Sequence, residues 1–178
     1  VLWVNSTSSV IQVEGKSLDG LVMMEDITAR KQAEEKLRQL STHDILTGLF
    51  NRGYFEAEMA RLEGGRQFPV SIVMADVDQL KETNDSQGHA AGDTLLKRLA
   101  QVLSAAFRAE DILARIGGDE FAVLLPNTGS SAVKKALIRL RRTLREHNAA
   151  HTELHLQVSF GASTAQKYAP LADVLKEA

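Results

Sequence analysis

From residue 44 onward, apolar positions switch between the spacing of strands and the spacing of helices. Residues 70–75 form a continuous apolar run, typical of a strand buried on both faces. Residues 92–107 carry leucine and valine at helical spacing, which predicts an amphipathic helix. The predicted elements are a helix over 52–62, a strand over 70–75, a helix over 92–107, strands over 112–116 and 121–125, a helix over 130–148 and a strand over 154–163. The order β-α-β-β-α-β from residue 70 predicts an α/β (α+β) fold of the split, ferredoxin-like type with an antiparallel central sheet.

Residues 1–26 follow a different pattern, with two short apolar stretches that predict two strands. Residues 14–20 between them have the character of a hairpin. Because two strands alone are marginal in water, we expect them to belong to a larger sheet or to pack on another element. Asp26 or Thr28 is expected to cap a helix that runs to about residue 40. Its sparse apolar stripe, which ends at Leu37 and Leu40, fits either a paired helix or a solvated linker helix.

Composition and charge narrow the class of protein. The chain has 178 residues, 44% of them hydrophobic, which suffices for one packed domain and a short appendage. It has 21 Lys and Arg against 23 Asp and Glu, so no global field favours nucleic acid or a lipid surface. The absence of cysteine excludes disulfides and fits a cytoplasmic location. No apolar run approaches the roughly 20 residues of a membrane span, and both ends look cut from a longer protein, which leaves room for membrane or sensor segments.

Acidic residues stand at two places that the predicted fold brings together. Asp76 and Asp78 follow the apolar run, where an acid is costly unless it is compensated. Asp119 and Glu120 lie in the hairpin turn, and we expect the two hairpin strands to flank the strand that carries Asp76. Converging carboxylates repel one another, and a hard divalent cation such as Mg²⁺ relieves this repulsion. A helix N-cap or a salt bridge is the ordinary alternative.

Gly117 and Gly118 precede the acids in this turn. Glycine supplies a positive φ at low cost, and its missing Cβ lets a ligand approach the backbone closely. A Gly-Gly-Asp turn alone is weak evidence of function, because most such turns are structural.

Several polar residues between 76 and 93 suit a nucleotide. Lys81 suits a phosphate, whereas the Asn84 amide and the Asp93 carboxylate suit the edge of a guanine base. Each has an ordinary alternative: Lys81 as a surface charge, Asn84 as a turn residue and Asp93 as a helix N-terminal acid. His89 is expected to order the loop or the start of the helix rather than to act as a catalytic base.

The segments 44–52, 76–93 and 117–121 resemble the diguanylate cyclases, or GGDEF-domain proteins, and the resemblance runs from about Thr42 to the chain end. It implies a palm fold of the nucleotidyl-cyclase type. It also implies a homodimer in which two domains meet face to face, each holding one GTP. Each 3′-hydroxyl would attack the α-phosphate of the other GTP, giving cyclic di-GMP and two pyrophosphates. No nucleic-acid partner is expected.

The resemblance also assigns the catalytic and metal-binding residues. Asp76 and Glu120, with the backbone carbonyl of Val77, would bind two Mg²⁺ or Mn²⁺ ions in each half-site. Asp119 would lie at the metals or help to deprotonate the 3′-hydroxyl. Phosphoryl transfer of this kind depends on positioning and charge neutralisation more than on covalent chemistry.

The same resemblance assigns the substrate-binding residues. Asn84 and Asp93 would read the guanine, and Lys81 would contact the terminal phosphates. Leu80, in the same group, stands where the family commonly has phenylalanine, and Gly53 replaces a common arginine. After residue 175 the family usually continues into a helix with lysine and arginine that grip the triphosphate. Without that helix the chain would lack these phosphate contacts, so the resemblance leaves open whether the chain is fully active, weakly active or inactive.

A second site is expected around Arg108 and Asp111, which resemble the family's inhibitory site for cyclic di-GMP. Arginine suits this role because its planar fork holds a guanine edge or a phosphate bidentately. Arg139 is a further candidate arm of this site. The alternatives are a local Arg–Asp pair of little energetic value and, for Arg139, ordinary surface charge.

Residues 1–30 resemble the end of a PAS sensor domain that runs into its output helix. The predicted organisation is therefore a PAS-like end over 1–26, a signalling linker helix over 27–42 and a catalytic domain over 43–178. An active, product-inhibited cyclase is the leading hypothesis. The alternatives are an inactive module that senses cyclic di-GMP and a structural dimerisation module on the linker helix.

Overall fold

The computed structural model describes residues 2–13, 16–167 and 169–178. These residues form two compact units, Val1–Ser41 and Thr42–Ala178. Across the described ranges, no helix combines the length and the apolar character that crossing a membrane requires.

The N-terminal unit consists of an antiparallel hairpin followed by a helix. β1 (Val4–Val13) pairs with β2 (Lys16–Asp26), so both strands are longer than predicted. Residues 14 and 15 of the predicted turn lie outside the described residues. α1 (Thr28–Thr42) begins as predicted, because the Asp26 carboxylate accepts a hydrogen bond from the Thr28 backbone N–H at 2.9 Å. The Thr28 hydroxyl accepts one from the Trp3 N–H at 3.0 Å, which ties the start of the helix to the hairpin.

The apolar stripe of α1 faces solvent within this unit. None of the helix residues is buried, and Leu37 and Leu40 are 66% and 51% exposed. A stripe of this kind fits both a paired helix and a solvated linker, so both interpretations remain predictions.

A five-stranded sheet is the centre of the C-terminal unit. Its elements are β3 (Phe50–Asn51), α2 (Arg52–Glu63), β4 (Val70–Val77), α3 (Leu80–Gln87), α4 (His89–Ala106), β5 (Ile112–Arg115), β6 (Glu120–Leu125), α5 (Ser130–Ala150), β7 (Val158–Ala165) and α6 (Leu171–Glu177). The strand order is β3-β5-β6-β4-β7, and every neighbouring pair is antiparallel except β3 and β5. From β4 to β7 the chain therefore has the predicted β-α-β-β-α-β arrangement, which confirms the expected fold class.

The central strand β4 is buried on both faces. Val73, Ala75 and Val77 join a hydrophobic cluster that includes residues of α4 and α5. Val70 and Ile72 join a second cluster that includes residues of α2 and α6. Because side chains alternate between the two faces, both need apolar residues, which explains the continuous apolar run in the sequence.

One prediction about the sheet is wrong. Only β6 of the hairpin lies beside β4, whereas β7 lies on its other side, so the two hairpin strands do not flank the strand that carries Asp76. The reason is that β5 pairs with the outer edge of β6. The turn nevertheless stays beside the end of β4, because β6 begins at Glu120.

Several element boundaries also differ from the prediction. α3 was not predicted, because its sequence is polar and none of its residues is buried. α4 begins at His89 rather than at residue 92. β7 begins at Val158 rather than at residue 154, because the Asn148 side chain binds both the N–H and the carbonyl of Leu156, at 3.0 and 2.8 Å. The short elements β3 and α6 were not predicted either.

Candidate active site

The turn between β5 and β6 closes on the backbone carbonyl of Glu120. That carbonyl accepts hydrogen bonds from the N–H groups of Ile116 at 2.9 Å and Gly117 at 3.2 Å. Neither Gly117 nor Gly118 has a positive φ, so the expectation of a left-handed turn is wrong. Space favours a glycine at 117 instead: a Cβ there would crowd the Glu120 side chain, which lies over it and would have to shift. A Cβ on Gly118 would meet open space.

The register of β4 and β6 brings the predicted metal ligands together. Asp76 is the direct cross-strand partner of Glu120, and opposed residues of this kind have Cβ atoms about 4.5–5.5 Å apart. The Val77 N–H donates to the Asp119 carbonyl at 3.2 Å, which holds the turn against the end of β4. On the other side, the Asp78 N–H donates to the Gln157 carbonyl at 3.0 Å.

The electrostatics at Asp76 are those of crowded negative charge. Burial raises the pKa of Asp76, and the charges of Asp119, Asp78 and Glu120 raise it further. Among the residues that the structure describes, Asp76 forms no ion pair that would offset this crowding, and no three or more His, Asp or Glu side chains already converge in the manner of a metal site. Two carboxylates on adjacent strands still form a set of hard oxygen donors, and their mutual repulsion is what a divalent cation would relieve. The residues therefore fit Mg²⁺ or Mn²⁺.

A cavity of about 510 Å³ lies beside the turn. All four residues predicted to bind substrate line it, namely Leu80, Lys81, Asn84 and Asp93, and the wall is completed by Asp85, His89, Gly92, Leu96, Arg115, Gly118 and Asp119. Asp119 therefore belongs both to the wall of this cavity and to the turn. The predicted metal ligands Asp76, Val77 and Glu120 do not line this cavity.

The helices place the polar side chains of this cavity. Lys81, Asn84 and Asp85 are three and four residues apart on α3, so they share one face of that helix. Asn84 is therefore not a turn residue, and the ordinary alternative for it is wrong. Asp93 lies beyond the first turn of α4, which starts at His89, so the alternative of a helix N-terminal acid is wrong too.

Gly92 makes room for Asn84. A Cβ at Gly92 would lie 2.9 Å from the Asn84 Cγ, closer than real Cβ contacts allow. The amide of Asn84 therefore rests directly on Gly92, the first buried residue of α4. The role of Gly92 was not predicted from the sequence. A glycine inside a helical pattern was the available signal, since it costs helix stability unless packing requires it.

Arg115 was also missed, and it links the turn to a distant loop. Its Nε and Nη2 donate to the Gly118 carbonyl at 3.2 and 2.7 Å, and its Nη1 lies 3.3 Å from both carboxylate oxygens of Asp44. Burial raises the pKa of Asp44, but the hydrogen bonds from Thr47 and the charge of Arg115 outweigh it, so the net pKa is lowered. Asp44 therefore stays ionised opposite Arg115.

The residues predicted for the second site line a separate cavity of about 260 Å³. Arg108, Asp111 and Arg139 are brought together there, with Asn127, Thr128 and Lys135 among the other lining residues. The Arg108 N–H donates to the Asp111 carboxylate at 2.9 Å, whereas the Arg108 guanidinium pairs with the exposed Glu110 at 3.6 Å. The Arg139 side chain donates to the Ala106 carbonyl. Burial is the main cause that raises the pKa of Asp111, which is only 8% exposed.

Known proteins are similar to this chain in sequence and in fold. The family described as "Diguanylate cyclase, GGDEF domain" matches residues 41–178. The "Probable diguanylate cyclase DgcE" of Escherichia coli (strain K12) is 32% identical over 146 residues, which are 80% of this chain and 13% of that protein. "Uncharacterized protein Mb1389c" of Mycobacterium bovis is 40% identical over 158 residues, 85% of this chain and 25% of that protein. The chain thus spans a quarter or less of the length of these two relatives.

A solved structure of the same family has a similar fold. The GGDEF domain of DgcB from Caulobacter crescentus, in complex with c-di-GMP, is 26% identical, with a TM-score of 0.68 over 77% of this chain and 85% of that one. A family match that covers most of the chain, a relative above 30% identity and a shared fold agree with one another. The chain therefore belongs to the GGDEF family of diguanylate cyclase domains.

Proposed function

We propose that this chain is one half of a diguanylate cyclase active site, which condenses two GTP molecules into cyclic di-GMP and two pyrophosphates across a homodimer. The observation that carries the proposal is the cross-strand pairing of Asp76 with Glu120. This pair lies at the turn whose Asp119 and Gly118 also line the 510 Å³ cavity. A cavity of this size is within the usual range of small-molecule sites, about 300–1,000 Å³.

Asp76 and Glu120, with the Val77 carbonyl, would hold two Mg²⁺ or Mn²⁺ ions. When bound, such ions neutralise charge on the phosphates and polarise the phosphoryl oxygens. The raised pKa of Asp76, caused first by burial and then by the neighbouring acids, supports a site that gains from a cation.

The cavity residues have complementary roles toward GTP. Asn84 and Asp93 read the guanine, since an amide and a carboxylate match its acceptor and donor groups. Lys81 contacts the terminal phosphates, and Leu80 supplies an apolar wall. All four side chains come from the consecutive helices α3 and α4 and line one cavity, where one nucleotide can meet all of them.

In the proposed reaction, the 3′-oxygen of one GTP forms a bond to the α-phosphorus of the other. The bond from that phosphorus to the bridging oxygen breaks, and pyrophosphate leaves. Asp119 accepts the proton of the 3′-hydroxyl, because it lies at the junction of the cavity and the turn. Because each domain holds one GTP, association of two chains places the reacting groups together.

The test is incubation with GTP and Mg²⁺, followed by chromatography for the cyclic dinucleotide. Glu120→Gln keeps the shape of the side chain but removes its charge, so turnover should be abolished. Glu146→Gln, an exposed acid on α5, is the matched control and should turn over normally. The turnover per chain should rise with protein concentration. If Glu120→Gln retains wild-type turnover, Glu120 is not in the metal site.

A second function is favoured by the 260 Å³ cavity. Arg108, Asp111 and Arg139 would bind cyclic di-GMP there, either as a feedback inhibitor or, if the chain is inactive, as a sensed ligand. The complex of the DgcB GGDEF domain with c-di-GMP supports a ligand of this class. Arg108→Ala should relieve product inhibition without lowering the initial rate. Tight binding of cyclic di-GMP by a wild-type chain that makes no product would favour the sensor.

For the N-terminal unit, we propose a PAS-like end over residues 1–26 and a linker helix over 27–42, followed by the catalytic domain over 43–178. The exposed Leu37 and Leu40 support pairing of two linker helices. The chain has no cysteine, so single-cysteine variants give a clean test. Leu37→Cys should form a disulfide between two chains, whereas Lys36→Cys, on another face of the helix, should not. Equal cross-linking at both positions would contradict the pairing.

A further inference from the structure

We infer that Arg115 is a positioning residue that fixes the metal-binding turn by clamping it to Asp44. The inference deepens the proposed cyclase function and rests on it. Arg115 uses three nitrogen atoms at once: Nε and Nη2 hold the Gly118 carbonyl, at 3.2 and 2.7 Å, and Nη1 faces the Asp44 carboxylate at 3.3 Å. A planar fork of donors suits this arrangement, whereas the single ammonium of lysine does not.

Asp44 is itself held in place by hydrogen bonds within its own loop. The Asp44 carboxylate also accepts hydrogen bonds from the N–H and the hydroxyl of Thr47, at 2.9 and 2.6 Å. Its backbone N–H donates to the Leu49 carbonyl at 2.8 Å, and its own carbonyl accepts from Gly48 at 2.9 Å. The side chains of Arg115 and Asp44 are only 15% and 24% exposed, so water screens the pair less than it screens a surface ion pair.

The Arg115–Asp44 pair holds the exposed part of the turn, at Gly118. Gly118 is exposed and has open space where a side chain would be. By contrast, the next two carbonyls are held by backbone groups, since Asp119 accepts from Val77 and Glu120 from Ile116 and Gly117. The Gly118 carbonyl belongs to the peptide that leads into Asp119. Fixing that peptide therefore sets the direction in which Asp119 enters the cavity and Glu120 faces Asp76.

The position of Asp44 separates this role from direct catalysis. Arg115 lines the 510 Å³ cavity, so by itself it is also placed to touch a substrate phosphate. Asp44 does not line that cavity, and it meets the turn through Arg115. Loss of Asp44 can therefore lower turnover through the clamp, but not through a lost contact with GTP.

The experiment compares Arg115→Gln, Arg115→Lys, Asp44→Asn and the double variant Asp44→Asn/Arg115→Gln. We expect Asp44→Asn and Arg115→Gln each to lower kcat roughly tenfold to a hundredfold, because misplacing reacting groups by about 1 Å costs that much. KM for GTP should change by less than about threefold, since binding contacts are kept.

The kcat of the double variant should fall no further than that of Arg115→Gln alone, because both changes break one unit. Arg115→Lys should not restore turnover. Arg61→Gln, which breaks the pair of the exposed Arg61 with Glu58 on α2, is the control and should leave kcat unchanged.

A second readout does not depend on turnover. In ¹⁵N-labelled protein, the amide signals of Gly118 and Asp119 should shift or broaden in Asp44→Asn and Arg115→Gln, but not in Arg61→Gln. Unchanged amide signals in both variants would overturn the inference. So would wild-type kcat in Asp44→Asn beside a large loss in Arg115→Gln, which would instead make Arg115 a substrate ligand. If the wild-type chain makes no cyclic di-GMP, the proposed function fails, while the amide signals still decide the role of Arg115.

Discussion

We expect the substitution Gly92→Ala to weaken substrate recognition in this domain while leaving its stability nearly unchanged. A Cβ at residue 92 would lie 2.9 Å from the Asn84 Cγ and 3.2 Å from its Nδ2, whereas ordinary contact begins at 3.4 Å. The Asn84 amide must therefore move by at least several tenths of an ångström. Asn84 is the side chain proposed to read the guanine, so the substitution displaces a recognition group without removing it.

The expected magnitudes differ for binding and for stability. Two hydrogen bonds from the Asn84 amide to a base edge are worth about 1–3 kcal/mol, which corresponds to roughly 5- to 150-fold in KM for GTP. Alanine within a helix is favoured over glycine by about 0.5–1 kcal/mol, and a strained Asn84 rotamer costs about 0.5–1.5 kcal/mol. The two stability effects nearly cancel, so the free energy of unfolding should stay within about 1 kcal/mol of wild type.

The assay measures KM for GTP, the preference for GTP over ATP and the midpoint of urea unfolding in the same preparations. KM should rise and the preference should fall, while the midpoint hardly changes. Gly53→Ala on α2 is the matched control, because its Cβ would meet Asn51 Oδ1 at an ordinary 3.5 Å. An unchanged KM and an unchanged base preference in Gly92→Ala would refute the assignment of Asn84 to the guanine.

Three further predictions concern stability. Burial first, and then His151 and Arg98, lower the pKa of His147 from its ordinary 6.5. Its contribution to stability is therefore complete above about pH 6.5 and is lost as the pH falls from there through the lowered pKa of the folded state, so His147→Leu should flatten the dependence of urea unfolding on pH below about 6.5. Leu99→Ala should cost about 2–5 kcal/mol of unfolding free energy, because this core side chain is fully buried. Asp76→Asn should raise the melting temperature measured without metal and abolish its increase on addition of Mg²⁺, because it removes the crowded charge that raises the pKa of this acid. An unchanged or steeper pH dependence in His147→Leu would contradict the first prediction. A cost below about 0.5 kcal/mol in Leu99→Ala, typical of a surface substitution, would contradict the second. An increase in melting temperature with Mg²⁺ that persists in Asp76→Asn would contradict the third.

Much of the fold was predictable because apolar periodicity reports burial. β4, α4, α5 and the β5–β6 hairpin carry such a pattern, and all of them form close to the predicted ranges. α3 carries none, since its one apolar end residue, Leu80, is followed by polar residues that line a cavity. The start of β7 shows the opposite failure: Leu154 and Leu156 read as strand positions, but Asn148 and Arg98 hold their backbone groups instead.

Some residues of the candidate site could be predicted from the sequence, and others could not. Asp76, Glu120, Asn84 and Asp93 could be named in advance because they stand in recognisable segments of sequence. Arg115 could not be assigned a role, because its partner Asp44 is 71 residues away and only the folded sheet brings the two together. Contacts between residues so far apart in sequence leave no local pattern.

The core of the sheet is what enforces the pairing of Asp76 with Glu120. In β6, Phe121, Val123 and Leu125 face one hydrophobic cluster, whereas Ala122 and Leu124 face the other. A slip of one residue against β4 would exchange these two sets, and it would also place Phe121 or Asp119, according to its direction, opposite Asp76 in place of Glu120. The two clusters differ in the size of the side chains they receive from β6, so such a slip would overpack one face and leave voids in the other. The register therefore follows from hydrophobic packing on both faces, and the repulsion between the acids at the end of the strand cannot change it without exchanging the whole core.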